Sequence, residues 1–364
     1  MRLFKLLFIC LMVVCAFNGY AQIIRVIDAD GDPVPYAAVT TEQGKLVGTT
    51  DINGVFENTT ENTVLCLSQV AYKPLSINLA EVVDGVVIME DADYVLPNVV
   101  VKPKELLYMQ TYYRITYIDE DGPIYYRAGI VDNTYEFAKQ KVNTKEKSIS
   151  AAESGIAKFL MNMQAGEVIR NRCTLHRQPY YQLITSNEGK WAKVSITSDS
   201  TGRQIISDSE SVLGFIDEEK ENGTRTTSFS GWLFNMHLDI AKEKNEKKKE
   251  KKQAELEKEE QETERSFFEV YRMDENGNSS IGDFLMQQSC VTGSLKGSNK
   301  KYIQIIEAFA TETAYIDKKE FKQTRKDNDV DKSYEDMLRY EKNHNIPPLA
   351  PNLKEQIDKL FVKK

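Results

Sequence analysis

The chain offers only three histidines among its 364 residues. A hydrolytic zinc centre takes His and Glu ligands at short spacing plus a more distant His. His176 is followed by Arg-Gln-Pro, His237 by Leu-Asp-Ile and His344 by Asn-Ile-Pro, so none opens a His-x-x-Glu pair. Cys173-Thr-Leu-His176 sets a thiol near an imidazole, yet catalytic Cys/His pairs are assembled by the fold from distant positions. It is read as a structural Cys on a strand with a surface His nearby. No Gly-x-Ser-x-Gly elbow or phosphate-cradling Gly-Lys-Ser/Thr loop occurs. The reading is therefore of a non-enzyme, with no catalytic residue, no cofactor and no metal site.

Four clusters imitate calcium loops: Asp28-x-Asp30-x-Asp32, Asp51-x-Asn53, Asp274-x-Asn276-x-Asn278 and Asp327-x-Asp329-x-Asp331. A calcium loop of this type closes on a bidentate Glu at its twelfth position and turns on Gly at its sixth. Counted from Asp28, Asp274 and Asp327, the twelfth residues are Val39, Leu285 and Leu338, and no sixth residue is Gly. These clusters are expected to be turns.

The aromatic pairs Tyr112-Tyr113, Tyr125-Tyr126 and Tyr180-Tyr181, with Trp191 and Trp232, could form a stacking platform for a sugar or a partner. Neighbours on a strand point to opposite faces, so each pair is expected to place one ring in the core and one outside. Tyr113, Tyr126, Tyr181, Trp191 and Trp232 are the candidate ligand or partner contacts, on a face that also reads as ordinary sheet surface.

These residues must be carried by about two domains plus tails, at roughly 100–200 residues per domain. A hydrophobic fraction of 41% with 10% aromatics suits a folded protein. The net charge of −8 offers nothing to nucleic acid or an anionic membrane. Residues 1–21 read as a secretory signal: Arg2 and Lys5, an apolar run from Leu6 to Phe17, then Gly19-Tyr20-Ala21 at the cleavage site. The apolar run is shorter than the ~20 residues that span a bilayer, and Val14 before Cys15 argues against a lipoprotein site. No later stretch is long and apolar enough to span. Cleavage leaves Cys66, Cys173 and Cys290. Cys66 reads as a small core residue, and a Cys173–Cys290 bridge stays open in an oxidising compartment.

From Gln22 the chain alternates short apolar runs with Asp28-Ala-Asp-Gly-Asp-Pro33, Gln43-Gly44 and Asp51-Ile-Asn-Gly54. Such spacing of turn formers reads as a small all-β sandwich. Val26, Asp28, Gly31, Pro33, Ala37, Val39, Gly48, Thr49, Thr50, Asp51, Gly54 and Phe56 fit the pattern of the carboxypeptidase-regulatory-like family, which residues 22–101 resemble. The later Leu-Cys-Leu-Ser-Gln-Val-Ala-Tyr-Lys also fits, with Ala71 where the family has Gly. The resemblance implies a seven-stranded prealbumin-like β-sandwich, a non-catalytic scaffold role and a Gram-negative envelope setting. About 260 residues follow it, too few for the plug and barrel of a TonB-dependent receptor, which such modules often precede.

A linker is expected over 102–110, then an antiparallel α+β domain over 111–330 with a curved sheet and a few helices. Its signals are a hairpin (Thr111 to Ile118, turn, Ile124 to Val131), a capped helix from Ser150 to Met163, and strands at Tyr180–Thr185, Lys190–Thr197, Arg203–Ser207 and Thr224–Phe234. Further strands are expected at Phe267–Arg272, Phe284–Val291, Tyr302–Ala310 and Thr313–Ile316. With no βαβ rhythm the sheet should be antiparallel. Residues 241–265 form a charged insertion, helical or frayed. Two helices, Lys332–Asn343 and Leu353–Phe361, close the chain over 331–364, the second capped by Asn352 with Glu355.

The fold class is thus mainly β. The functional expectation is a non-enzymatic cell-envelope interaction protein, periplasmic or outer-membrane-associated, whose partner is an envelope protein or glycan. The alternative is a periplasmic carrier of lipid or another apolar ligand, faintly similar in pattern to the half-barrel of outer-membrane lipoprotein carriers.

Overall fold

The computed structural model describes residues 22–60, 62–92, 94, 104–139, 141–153, 179–185, 194–208, 211–219, 222–230, 245–294, 300–324 and 333–362. The first seven strands are β1 (Gln22–Ile27), β2 (Ala38–Thr41), β3 (Leu46–Thr49), β4 (Val55–Asn58), β5 (Val64–Ser68), β6 (Leu75–Asn78) and β7 (Val86–Ile88). They form two sheets, ordered β4-β1-β7 and β3-β2-β5-β6. Alternation sends Ile24 and Val26 of β1, Phe56 of β4 and Val87 of β7 inward to meet Val39, Leu65 and Leu67 from the other sheet. This is the expected seven-stranded sandwich, and Cys66 is a buried free thiol within it.

The other ten strands make one antiparallel sheet. They are β8 (Leu106–Asp119), β9 (Gly122–Glu136), β10 (Lys141–Glu153), β11 (Ser195–Ser198), β12 (Gln204–Ser207), β13 (Val212–Glu219), β14 (Thr224–Ser230), β15 (Thr263–Arg272), β16 (Phe284–Ser294) and β17 (Lys301–Ile316). The order is β10-β9-β8-β17-β16-β15-β14-β13-β12-β11. All neighbours except one are also neighbours in sequence. The exception joins β17 to β8, from Tyr302 opposite Asp119 to Ile316 opposite Leu106, and makes one sheet of two meanders. Mainly β describes the molecule.

Five α-helices accompany these strands among the described residues: α1 (Tyr180–Thr185), α2 (Glu246–Glu262), α3 (Lys318–Thr324), α4 (Tyr334–Asn343) and α5 (Pro351–Val362). Helix α4 starts on a capping box, with Ser333 accepting from Asp336 N–H and the Asp336 carboxylate returning to Ser333 N–H. Met337 of α4 and Leu353 and Ile357 of α5 pack on Tyr112, Tyr126, Ile130 and Phe309 of the large sheet. The sandwich joins the same core through Ala38 and Val70. Gln288 of β16 ties it there, accepting from Val70 N–H (3.0 Å) and donating to the carbonyl of Tyr36 (3.1 Å).

Several expectations change. Ser150–Glu153 is the end of β10, because Ser148, Ser150 and Ala152 are buried at period two opposite β9; the rest of that expected helix lies outside the described residues. Tyr180–Thr185 is a helix, since Tyr180 and Ile184, one turn apart, both enter a core with Phe229 and Phe267. The linker reaches no further than Glu105, because Leu106 to Gln110 already pair with both β9 and β17. Tyr302–Ala310 and Thr313–Ile316 are a single strand, interrupted by a bulge at Thr311. Asn352 does not cap α5. Pro351 takes the first helical position, where its missing N–H costs nothing, and the buried Asn352 amide donates to Thr40 Oγ1 (2.9 Å) and Thr41 O (2.8 Å) of β2. The insertion is helical over Glu246–Glu262.

Candidate contact surface and buried acid

The aromatic platform does not form. Tyr113 and Tyr126 are fully buried, as are their neighbours Tyr112 and Tyr125. The splitting rule assumed one wet face, whereas the centre of the large sheet is covered on both. Tyr126 stacks edge-on against Tyr334 of α4 and Phe361 of α5. On the opposite face Tyr113 lies over Gly129, where a Cβ would come within 2.7 Å of its hydroxyl. That hydroxyl accepts from Arg127 Nε (2.9 Å) and donates to Glu146, whose two carboxylate oxygens also accept from Arg127 Nη2, each at 2.9 Å. Tyr181 is half-buried beneath the Arg225 guanidinium, 4.0 Å from its ring centre, and its hydroxyl bonds to the Ser279 backbone. Trp191 and Trp232 lie outside the described residues.

The calcium-like clusters are turns wherever they are described. Asp28, Asp51 and Asp274 each accept two backbone N–H groups, two and four residues ahead, at 2.7–3.0 Å. Asp199 does the same with Thr201 and Arg203. Three residues after each Asp stands a Gly (Gly31, Gly54, Gly202, Gly277) at φ between +71° and +93°, a conformation glycine adopts without Cβ strain. The carboxylates are therefore spent on the backbone. The N–H groups of Asn278 and Asn276 hold Asp274 below its ordinary range. Among the described residues no group of three His, Cys, Asp or Glu side chains could hold a metal. His344 stacks on Tyr340, 3.9 Å between centres; His176, His237, Cys173 and the cluster at 327–331 lie outside. Cys290 is a buried free thiol, so the open Cys173–Cys290 bridge is absent.

Charged residues missed by sequence reading fasten α4 to the sheet. Arg114, fully buried, donates from Nε to Glu307 (2.9 Å) and from Nη1 to Glu341 (3.4 Å) and the Pro347 carbonyl (2.9 Å). Tyr112 donates to Glu341 (2.6 Å). Beside a β10 bulge, Lys147 pairs with Asp132 at 3.1 Å, and Tyr108 and Gln110 donate to the same carboxylate. Tyr340 of α4 bonds to Gln110 Oε1 (2.6 Å) and Thr311 Oγ1 (2.8 Å). Such clusters favour one docked arrangement of the helix, because breaking any member strands a buried charge.

Glu269 is a different kind of group. It is completely buried on β15 between Phe267 and Tyr271, and burial lifts its carboxyl to about 8. Oε1 accepts the N–H groups of Tyr180 (2.7 Å) and Tyr181 (3.3 Å) at the start of α1. Oε2 has no hydrogen-bond partner, and neither has Gln287 Oε1 on the residue directly opposite in β16. A neutral Glu269 carries a proton that converts one of these orphan acceptors into a donor. The sequence signal was available: period two places Glu269 on the face of Phe267 and Tyr271, an acid in a core register.

Four of the exposed large apolar residues lie together on the sandwich; the others, Phe137, Ile149, Val212 and Val362, are spread over other elements. Ile23 (65% exposed), Val83 (74%), Val86 (40%) and Ile88 (57%) occupy the outer side of β1 and β7 and the turn between Val83 and Val86. Asp84 and Gly85 both have positive φ in that tight turn. It presses so closely on β1 that a Cβ on Gly85 would sit 2.7 Å from the Ile23 carbonyl. The sequence marks this surface too, since Ile23-Ile24 and Val86-Val87-Ile88 place apolar residues on both faces of their strands.

No helix among the described residues is long and apolar enough to cross a membrane. No protein-family model matches the chain, and no curated protein matches it. Among solved structures it is similar to one titled for lipid–protein interactions in lipovitellin, at 7% identity and a TM-score of 0.28. The alignment covers 58% of this chain and 26% of that one, so the chain spans about a quarter of that protein's length, and a likeness this slight carries no argument.

Proposed function

We propose that this is a non-enzymatic interaction protein of the bacterial cell envelope, in which a carboxypeptidase-regulatory-like sandwich presents a contact face and the large sheet anchors it. The observation that carries this reading is the exposed aliphatic surface of Ile23, Val83, Val86 and Ile88, beside a large sheet whose central strand β8 is buried from end to end. Contiguous exposed apolar surface on a folded protein marks an interaction site. Its chemistry favours a protein partner. A glycan would be met by stacked aromatic rings, and the two candidate rings on strands, Tyr113 and Tyr126, are in the core.

The test is a photo-crosslinking residue placed in the cell at Ile88, with a control at exposed Ile149 on the large sheet. A discrete protein adduct at Ile88, absent from the control and abolished by Ile23→Asp, supports the reading. Native mass spectrometry of the protein purified from its own cells is the second arm. Bound lipid there, with no adduct at Ile88, overturns the interaction reading in favour of a carrier of apolar ligands.

A further inference from the structure

Strand β7 ends its sheet, and among the described residues its strand partner is β1 alone, paired parallel from Arg25 opposite Val86 to Ile27 opposite Ile88. Arg25 N–H donates to the Gly85 carbonyl (2.7 Å) and Met89 N–H to the Ile27 carbonyl (2.8 Å). Gly85, Val87 and Met89 therefore turn their backbone toward β1. Backbone direction alternates along a strand, so the Val86 carbonyl and both polar groups of Ile88 face away from the sheet. The Val86 N–H is taken within the turn, by the Val83 carbonyl (3.1 Å). Sheet edges are ordinarily guarded against added strands by lysine, proline, charge or a bulge. Here β10 carries Lys141, Lys145 and a bulge between Glu146 and Ser148. Pro74 leads into β6, and Glu57 lies on β4. The stretch Gly85-Val-Val-Ile-Met89 has no such guard, and Val86 and Ile88 are exposed on it.

We infer that an extended segment of a partner protein adds to the free edge of β7 as a further strand, its apolar residues beside Val86 and Ile88 and its basic residues beside Glu90 and Asp91. This rests on the reading above that the aliphatic face of the sandwich is the contact surface, and it gives the form of the partner there. In such an addition, backbone hydrogen bonds supply affinity and alternate side chains supply selectivity. The charge requirement comes from the surface past Met89, where Asp30, Glu90, Asp91 and Glu219 are exposed. Burial raises the Asp91 carboxyl, and Glu219, Asp28 and Asp30 raise it further against the opposing Lys73. Lys73 pairs with Glu90 at 3.5 Å, which leaves this end acidic. A second copy of this chain fits the edge poorly. The antiparallel register that pairs its Ile88 with Val86 brings Asp84 toward Glu90 at both ends, like charges in opposition. With the outward groups of Val86 and Ile88 alone to pair, the contact is weak, and its charge component falls with salt.

Fluorescence anisotropy of the purified full chain tests it, with a labelled synthetic peptide that alternates valine and threonine between terminal lysines. Lysines stand at both ends because a strand can add in either direction. One comparison peptide is N-methylated at every valine and threonine, and the other ends in glutamates. Losing the donors to the Val86 and Ile88 carbonyls should weaken binding about tenfold. The glutamate peptide should also bind more weakly at about 10 mM salt and approach the lysine peptide near 1 M. Ile88→Lys should abolish binding of the lysine peptide, while Ile149→Lys, on exposed β10 surface, should leave it unchanged. A lysine peptide that binds no tighter than either comparison peptide at low salt, or equally to Ile88→Lys, overturns the inference. In the cell, the peptide trapped by a photo-crosslinking residue at Ile88 separates this inference from the reading beneath it. An alternating apolar stretch next to Lys or Arg supports strand addition. A trapped partner without such a stretch, or a second copy of this chain, overturns strand addition and leaves the contact face standing; no adduct overturns both.

Discussion

The sandwich and the ten-stranded sheet are both antiparallel-rich β structures, yet they treat the alternation of a strand in opposite ways. In β1 the residues alternate between core and solvent, with Ile24 and Val26 inside and Ile23 and Arg25 outside. In β8 all fourteen residues are buried. The β4-β1-β7 sheet of the sandwich has one dry side, whereas the large sheet is covered at its centre on both. A polar side chain in β1 therefore meets water, but in β8 it needs a partner, as Arg114 and Gln110 find in Glu307, Glu341 and Asp132. A strand's environment, and not its composition, decides what a polar substitution costs.

The sharpest way to break this contrast is Arg114→Ala. It leaves Glu307 and Glu341 buried without their cation, and the expected loss is about 3–5 kcal/mol in urea unfolding; Arg25→Ala, on exposed β1 surface, should change stability by less than about 0.5 kcal/mol. Equal effects would show that the large sheet is wetter than its geometry implies.

Glu269→Gln probes the same contrast through pH. The folded-state pKa near 8 stands above the ordinary carboxyl value of 4.5, so the folded protein keeps a proton that the unfolded chain releases. This group's contribution is greatest below about pH 4.5, declines as pH rises toward about 8 and is level above that. Glu269→Gln should remove that part of the decline, on the order of a few kcal/mol, and be more stable than the natural protein at pH 8 and above. Denaturant midpoints at pH 5, 7 and 9 that shift in parallel for both proteins would refute the assignment of a neutral acid.

Within the sandwich, Asp51→Ala removes acceptors for two backbone N–H groups of the Asp-x-x-Gly turn. About 1 kcal/mol of stability should be lost, measured as a lowered melting temperature. The smallest effect on stability is expected from Ile88→Asp, within about 0.5 kcal/mol, although on the proposed reading it abolishes partner capture. A large destabilisation there would make the outer face of β7 part of a core and not a docking surface.

Much of the sandwich was legible because its signals are local. Asp at the first position and Gly three residues later specify a turn by backbone hydrogen bonding and positive φ alone, and the same device recurs at Asp199 and Asp274. The caps were not read correctly: Ser150 and Glu153 belong to a strand and Asn352 turns to β2, while the capping box that forms, at Ser333, was passed over. Glu269 was legible in principle, as an acid in an inward register, and was passed over. The Tyr-Tyr pairs were misread because alternation reports two faces but not whether both are covered. Tyr180–Thr185 was misread because β-forming residues fold as a helix once Tyr180 and Ile184 have a shared core to enter.

By itself the sequence determined the Asp-x-x-Gly turns of the sandwich and the antiparallel mainly β class, set by interactions within a few residues. Only the tertiary structure decided that β17 returns to β8 across nearly two hundred residues, that α4 and α5 close one face, and that buried charges meet there. Those outcomes depend on which surfaces remove each other from water, and no short stretch of chain carries that information.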